Sequence, residues 1–196
     1  MSKMRLPKLI GVAILLATSG THAQEQSFRP LSYDFLFASA AMTDIDSGGI
    51  EIGGSVSVTE TIHVFGGYQD WEIGDNADRS ILQLGAGYRW GISPNVDMLV
   101  RLALADSDFD RRGRGPQDDD GLIISGLVRG WVASQIELSG ELLLDDSLGS
   151  DMDVVLEFGG QYHLKDNFSL GGRIRADEDD MALFLGVRFY FRGSSQ

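Results

Sequence analysis

Residues 181–191 read MALFLGVRFYF. Met181, Leu183, Leu185, Val187, Phe189 and Phe191 share one face of an extended chain, and Ala182, Phe184, Gly186, Arg188 and Tyr190 share the other. A period of two is the signature of a strand, not of a helix. The preceding segment repeats it, with Phe168, Leu170, Gly172 and Ile174 opposite Ser169, Gly171, Arg173 and Arg175. Before that, Val154, Leu156, Phe158, Gly160 and Tyr162 alternate with Val155, Glu157, Gly159 and Gln161. A helix would bring Glu157 or Arg173 to the apolar side. Similar segments lie at about 135–145, 121–132, 96–105, 81–90, 62–71, 50–58 and 31–41, which makes ten. Each has about ten residues, enough to cross a hydrocarbon layer of ~25 Å as a tilted strand. Segments one and nine are the weakest, so eight strands is the alternative count.

The apolar face of these segments is nearly free of charge, while the other carries ions and many glycines. A soluble core does not hold that many ions. The pattern therefore predicts an all-β fold: an up-and-down antiparallel transmembrane β-barrel over 31–191, apolar side outward. A soluble sandwich or lipocalin-like barrel is the competing reading. The 196 residues suit a single domain, and 43% hydrophobic content excludes a disordered chain. There is no Cys, hence no disulfide scaffold and no thiolate metal site. A formal charge of -13 argues against nucleic acid as a partner, because phosphate contacts need a positive footprint.

Residues 1–23 read as a secretory signal: Lys3, Arg5 and Lys8, then the apolar run Leu9 to Thr18, then Thr21-His22-Ala23 as the cleavage site. Residues 24–30 form a short periplasmic segment in this reading, and 192–196 a C-terminal tail.

The connections alternate in length. Those after segments two, four, six and eight are short: Thr59-Glu60-Thr61, Gly91 to Asn95, Ala133-Ser134, and Lys165-Asp166-Asn167. The odd connections are longer or more acidic. They hold Asp44 and Asp46; Asp70, Glu72, Asp75 and Asp78; and Asp106, Asp108, Asp110, Asp118, Asp119 and Asp120. The last two hold Asp145, Asp146, Asp151 and Asp153, then Asp177, Glu178, Asp179 and Asp180. Short periplasmic turns and longer external loops are the outer-membrane rule. Both termini then lie in the periplasm. Trp90, Trp131, Tyr162, Phe168, Phe189 and Phe191 fall near the short-turn end, where a headgroup-level girdle sits.

His63-Val64-Phe65-Gly66-Gly67-Tyr68, Leu84-Gly85-Ala86-Gly87-Tyr88-Arg89 and the turn Ile92-Ser93-Pro94-Asn95 carry a resemblance. With them the chain resembles the small proteobacterial outer-membrane and vesicle barrels known from xanthomonads. The resemblance implies an outer-membrane location in a Gram-negative cell, release in vesicles, and a connection with signalling. It brings no catalytic residues. Many such barrels end on a terminal Phe read by the insertion machinery, an expected partner; here Phe191 is followed by Arg192 to Gln196.

With the apolar side outward, Asp34, Glu51, Asp97, Glu137, Glu141 and Glu157 face the lumen, and so do Arg89, Arg101, Arg129, Arg173, Arg175 and Arg188. Guanidinium forks pair carboxylates bidentately, so a balanced set predicts ion pairs that fill the interior. Barrels of about eight strands are filled by side chains, and wide channels need sixteen or more. A plugged lumen with a structural or surface-interaction role is therefore the expectation, and a small cation-preferring pore the alternative.

Asp106, Asp108, Asp110, Asp118, Asp119 and Asp120 are weak divalent-cation candidates that would bridge to lipopolysaccharide phosphates. Asp106-Ser107-Asp108-Phe109-Asp110 begins like a calcium loop, but Arg111 stands sixth and Gln117 twelfth, which excludes an EF-hand. The plainer expectation is a solvated, mobile loop. No cofactor is expected. Barrel enzymes place a His at the outer rim beside an Asp or Ser. Here His22 leaves with the signal, and His63 and His163 map to the periplasmic end. No enzyme is expected.

Overall fold

The computed structural model describes residues 30–43, 47–73, 77–111, 114–146, 152–178 and 180–191; of Arg111 and residues 114–118 only the backbone is described. The signal at 1–23, residues 24–29, the tail at 192–196, and Asp44, Asp46, Asp75, Arg112, Asp151 and Asp179 lie outside the described residues.

The chain forms β1 (Phe35–Thr43), β2 (Gly48–Ser57), β3 (Ile62–Ile73), β4 (Ala77–Ser93) and β5 (Val96–Arg111). It continues through β6 (Arg114–Ala133), β7 (Ile136–Asp145), β8 (Asp153–Lys165), β9 (Phe168–Ala176) and β10 (Met181–Tyr190). Consecutive strands pair antiparallel, and β1 pairs with β10 to close the ring. The count is ten, not eight, because the weakest segments, β1 and β9, are each held on both sides.

Closure decides which face is inside. Leu84 and Leu104 are 70% exposed, whereas Glu137 is 2% exposed. Outward positions along β4, β5 and β8 carry Leu82, Leu84, Tyr88, Leu102, Leu104, Leu156 and Phe158. An apolar surface that wraps a closed ring exceeds what a water-soluble protein exposes, and a bilayer covers it without cost.

The structure departs from the sequence reading first at β1. Strand β1 begins at Phe35; Leu31 to Asp34 leave the sheet, and Leu31 and Tyr33 are buried inside the short-turn end. The second departure is the acidic connection between β5 and β6. It is not a long loop: both strands run on beyond the apolar belt, pairing Asp106 with Asp120, Ser107 with Asp119 and Asp108 with Asp118. Alternation persists there, since Asp106, Asp108 and Asp110 are exposed while Ala105 and Ser107 are buried. Above the lipid the outward residue is a carboxylate, so the hydropathy contrast that marks a strand disappears. On its other side β6 first pairs with β7 at Ile123 among the described residues.

The short turns after the even-numbered strands share one device. The carbonyls of Thr61, Asn95, Gln135 and Asn167 accept from the backbone N–H of Arg89, Trp131, His163 and Tyr190 at 2.8–2.9 Å. Each turn thus braces the next even-numbered strand at an inward residue. Bulges near Gly91, Trp131 and His163 accompany the two-residue turns and add local twist.

Candidate functional site

The lumen is where this fold concentrates chemistry. At its short-turn level Arg129 grips Glu137 with two bonds, Nε to Oε1 at 2.6 Å and Nη2 to Oε2 at 2.8 Å. His163 Nε2 lies 3.3 Å from Glu137 Oε2, and Arg188 Nη1 3.6 Å from Glu137 Oε1. Arg89 pairs with Asp97 at 3.4 Å, and Tyr33 donates its hydroxyl to Asp97 at 2.9 Å. One level up, Arg101 bonds Glu141 and donates to Ser125 Oγ.

A second network lies toward the opposite end, where the acidic connections are. Arg173 bonds Glu51 and approaches Glu157 at 3.3 Å, and Arg175 donates to Glu157 at 3.2 Å. Glu51 also accepts from Ser39 Oγ and from Gln69 Nε2. Arg175 reaches Gln69 from four strands away around the ring, so this network spans the interior. Phe184 is buried beneath both guanidiniums, its ring centre 4.1 Å from Arg173 and 5.2 Å from Arg175.

Eleven of the twelve charged residues assigned to the lumen from the sequence project inward from strands; Asp34 does not. It precedes β1, and its carboxylate accepts from the Ser57 N–H at 2.7 Å while its carbonyl accepts from Phe191 N–H. A charge count overlooks the rest of the inner wall: Ser39, Gln69, Gln161, and the rings of Tyr33, Phe35, Phe65, Trp71, Phe184 and Tyr190. The signal that finds those on strands is the same phase of the alternation. Trp131 is a correction. It lies at the short-turn end but points inward, 4% exposed, its ring 4.5 Å from His163, so it is not part of the girdle. Trp90, Tyr162, Phe189 and Phe191 are exposed on the outer face.

Inward glycines make room for these large groups. A Cβ on Gly87 would meet the His63 ring at 2.3 Å, and one on Gly85 would meet Phe65 at 2.6 Å. Side chains of β3 thus lie flat across the glycines of neighbouring β4.

Between the networks lies a cavity of about 170 Å³. Its wall includes Ser55 and His63, whose Oγ and Nδ1 are buried without a hydrogen-bond partner among the described residues. At the outer end Arg79, which the charge count left out, donates to Ser107 Oγ, with Asp119, Asp145 and Asp153 in electrostatic range. Asp106, Asp108, Asp110 and Asp120 are exposed; of Asp118 the backbone pairing alone is described. Among the described residues no three His, Asp or Glu converge in a way that would hold a metal ion.

A closed up-and-down ring with an apolar exterior and an ion-paired interior defines the outer-membrane β-barrel class. A solved structure of that class shares the fold. KdgM porin superposes with a TM-score of 0.50 at 9% identity, covering 81% of this chain and 99% of that one. The N-terminal β-barrel domain of Pseudomonas aeruginosa OprF gives 0.45 at 17% identity, covering 80% and 96%. NanC porin gives 0.47 at 10% identity, covering 81% and 100%. At such identities the likeness is one of fold. No protein-family description matches the chain, and no curated protein matches it.

Proposed function

We propose that this protein is an outer-membrane barrel closed at rest, with a structural or surface-interaction role. The observation that carries this is Arg173, which holds Glu51 and approaches Glu157 together, tying β9 to β2 and β8 through the lumen. Ions meeting this barrier face fixed, mutually neutralised charges rather than an aqueous path. His63 and His163 are buried against aromatic rings at the periplasmic end, which supports a structural role for both and a non-enzymatic protein. The outward acids of the β5–β6 hairpin form the surface part of the reading. They would gather a diffuse layer of divalent cations beside lipopolysaccharide phosphates. Kinship with the vesicle barrels of xanthomonads, and release in vesicles, rest on the three motifs quoted above.

The central cavity favours one second reading, a small cation-preferring pore. Single-channel recording of the refolded mature protein in a planar bilayer separates the two. The closed reading expects no steady openings while a heat-modifiable band persists on a gel. Steady openings that change with Glu157→Gln or Arg173→Gln establish the pore instead.

A further inference from the structure

We propose that Leu31 to Tyr33 form a displaceable periplasmic stopper, hinged at Asp34, and that withdrawing it joins the lumen cavity to the periplasm. This goes beyond the closed barrel by locating its seal. The stopper lies outside the sheet, since β1 begins at Phe35, so no ladder bond breaks when it moves. Asp34 is pinned on both sides, by Ser57 N–H on its carboxylate and Phe191 N–H on its carbonyl, which fixes the pivot.

The seat is specific. Leu31 and Tyr33 pack with Leu99 and Trp131 in one buried cluster. The Tyr33 ring has the guanidiniums of Arg89 and Arg129 each at 4.9 Å and the His63 ring at 5.2 Å. Its hydroxyl donates to Asp97, and Arg129 Nη1 donates to the Ser32 carbonyl at 2.9 Å.

The seat also survives emptying. Arg129 keeps both bonds to Glu137, and Asp97 keeps Arg89. A charge left unpaired in a low-dielectric interior is what makes most buried contacts irreversible, and departure of the stopper leaves none. Tyr33 itself forms part of the cavity wall, together with Ser55 and His63. Their unpartnered polar atoms are the groups that water from the periplasm would satisfy.

The chain has no cysteine, so a single thiol reports access cleanly. Ser55→Cys places one in the cavity wall. The rate of its modification by a charged methanethiosulfonate is measured in refolded protein, with heat-modifiable gel mobility as the folding control. The stopper predicts slow labelling with the native segment, and labelling at least about tenfold faster when Leu31→Ser and Tyr33→Ala are added. Leu31→Ser alone, a milder change, serves if the combined variant does not fold, with a smaller acceleration expected. Equal rates with and without the loosened segment overturn the proposal, as does fast labelling with the native segment. Labelling reads access to the cavity and needs no current, so a silent or conducting bilayer leaves this test intact.

Discussion

Glu137 shows what a single side chain does in this lumen. It is engaged by Arg129 through two bonds and faced by Arg188 and His163. Glu137→Ala strands the buried Arg129, and loss of one partner of a buried pair costs about 3–5 kcal/mol. Denaturant unfolding in lipid vesicles is expected to show that loss, with Glu137→Gln costing less because the amide still accepts one bond. Glycine supplies a second case. Gly87→Ala is expected to destabilise by about 1–3 kcal/mol through overpacking, since His63 lies flat on it. Adding His63→Ala should restore most of the loss, a coupling that a double-mutant cycle measures. Gly171→Ala is expected to be mild, because its Cβ meets only the amide end of Gln161, which can rotate away.

Among the elements, the β5–β6 hairpin combines a regular ladder with repulsion. Within it Asp106 faces Asp120 and Asp108 faces Asp118, and on the neighbouring ladders Asp78 of β4 faces Asp110 of β5 and Glu72 of β3. Like charges directly opposite each other destabilise a strand pair by a few tenths of a kcal/mol, more at low salt. Proteolysis within 106–110 is therefore expected to slow as salt or magnesium is raised and to quicken when a chelator is added. An unchanged cleavage rate with chelator counts against the cation layer. Asp108→Asn is expected to slow cleavage on its own and to reduce the salt dependence.

For the whole molecule, burial is inverted, and that gives a depth-dependent prediction. Leu102→Arg lies on the exposed apolar belt and is expected to cost about 2–4 kcal/mol in a bilayer. Asp106→Arg, on the same face but above the belt, is expected to be near neutral or stabilising, since it breaks a row of like charges. Refolding yield and urea midpoints of the two variants in the same vesicles check the contrast. A soluble barrel would show no such dependence on depth.

What was legible in the chain followed from one physical rule. A strand between lipid and an ion-paired interior must alternate strictly, so Met181 to Phe191 identified both the strand and its two faces. Repetition of that alternation supplied the ten strands and the lumen phase of Glu51, Glu137, Arg129 and Arg173. The rule fails wherever the outer neighbour is water rather than lipid. Asp106 to Asp110 keep the strand period but lose the hydropathy contrast, so the hairpin read as a loop. Periodicity also carries no information about distance around the ring. Only closure decided that Arg175 reaches Gln69 and that Leu31 and Tyr33 leave the strand, whereas the inward turn of Trp131 follows from the phase of Arg129 two residues before it. The sequence by itself determined the class of fold, its faces and which end carries the acids, because those depend on local solvent. The tertiary structure alone decided partners and the seal, because those depend on which residues of distant strands arrive at the same height in the barrel.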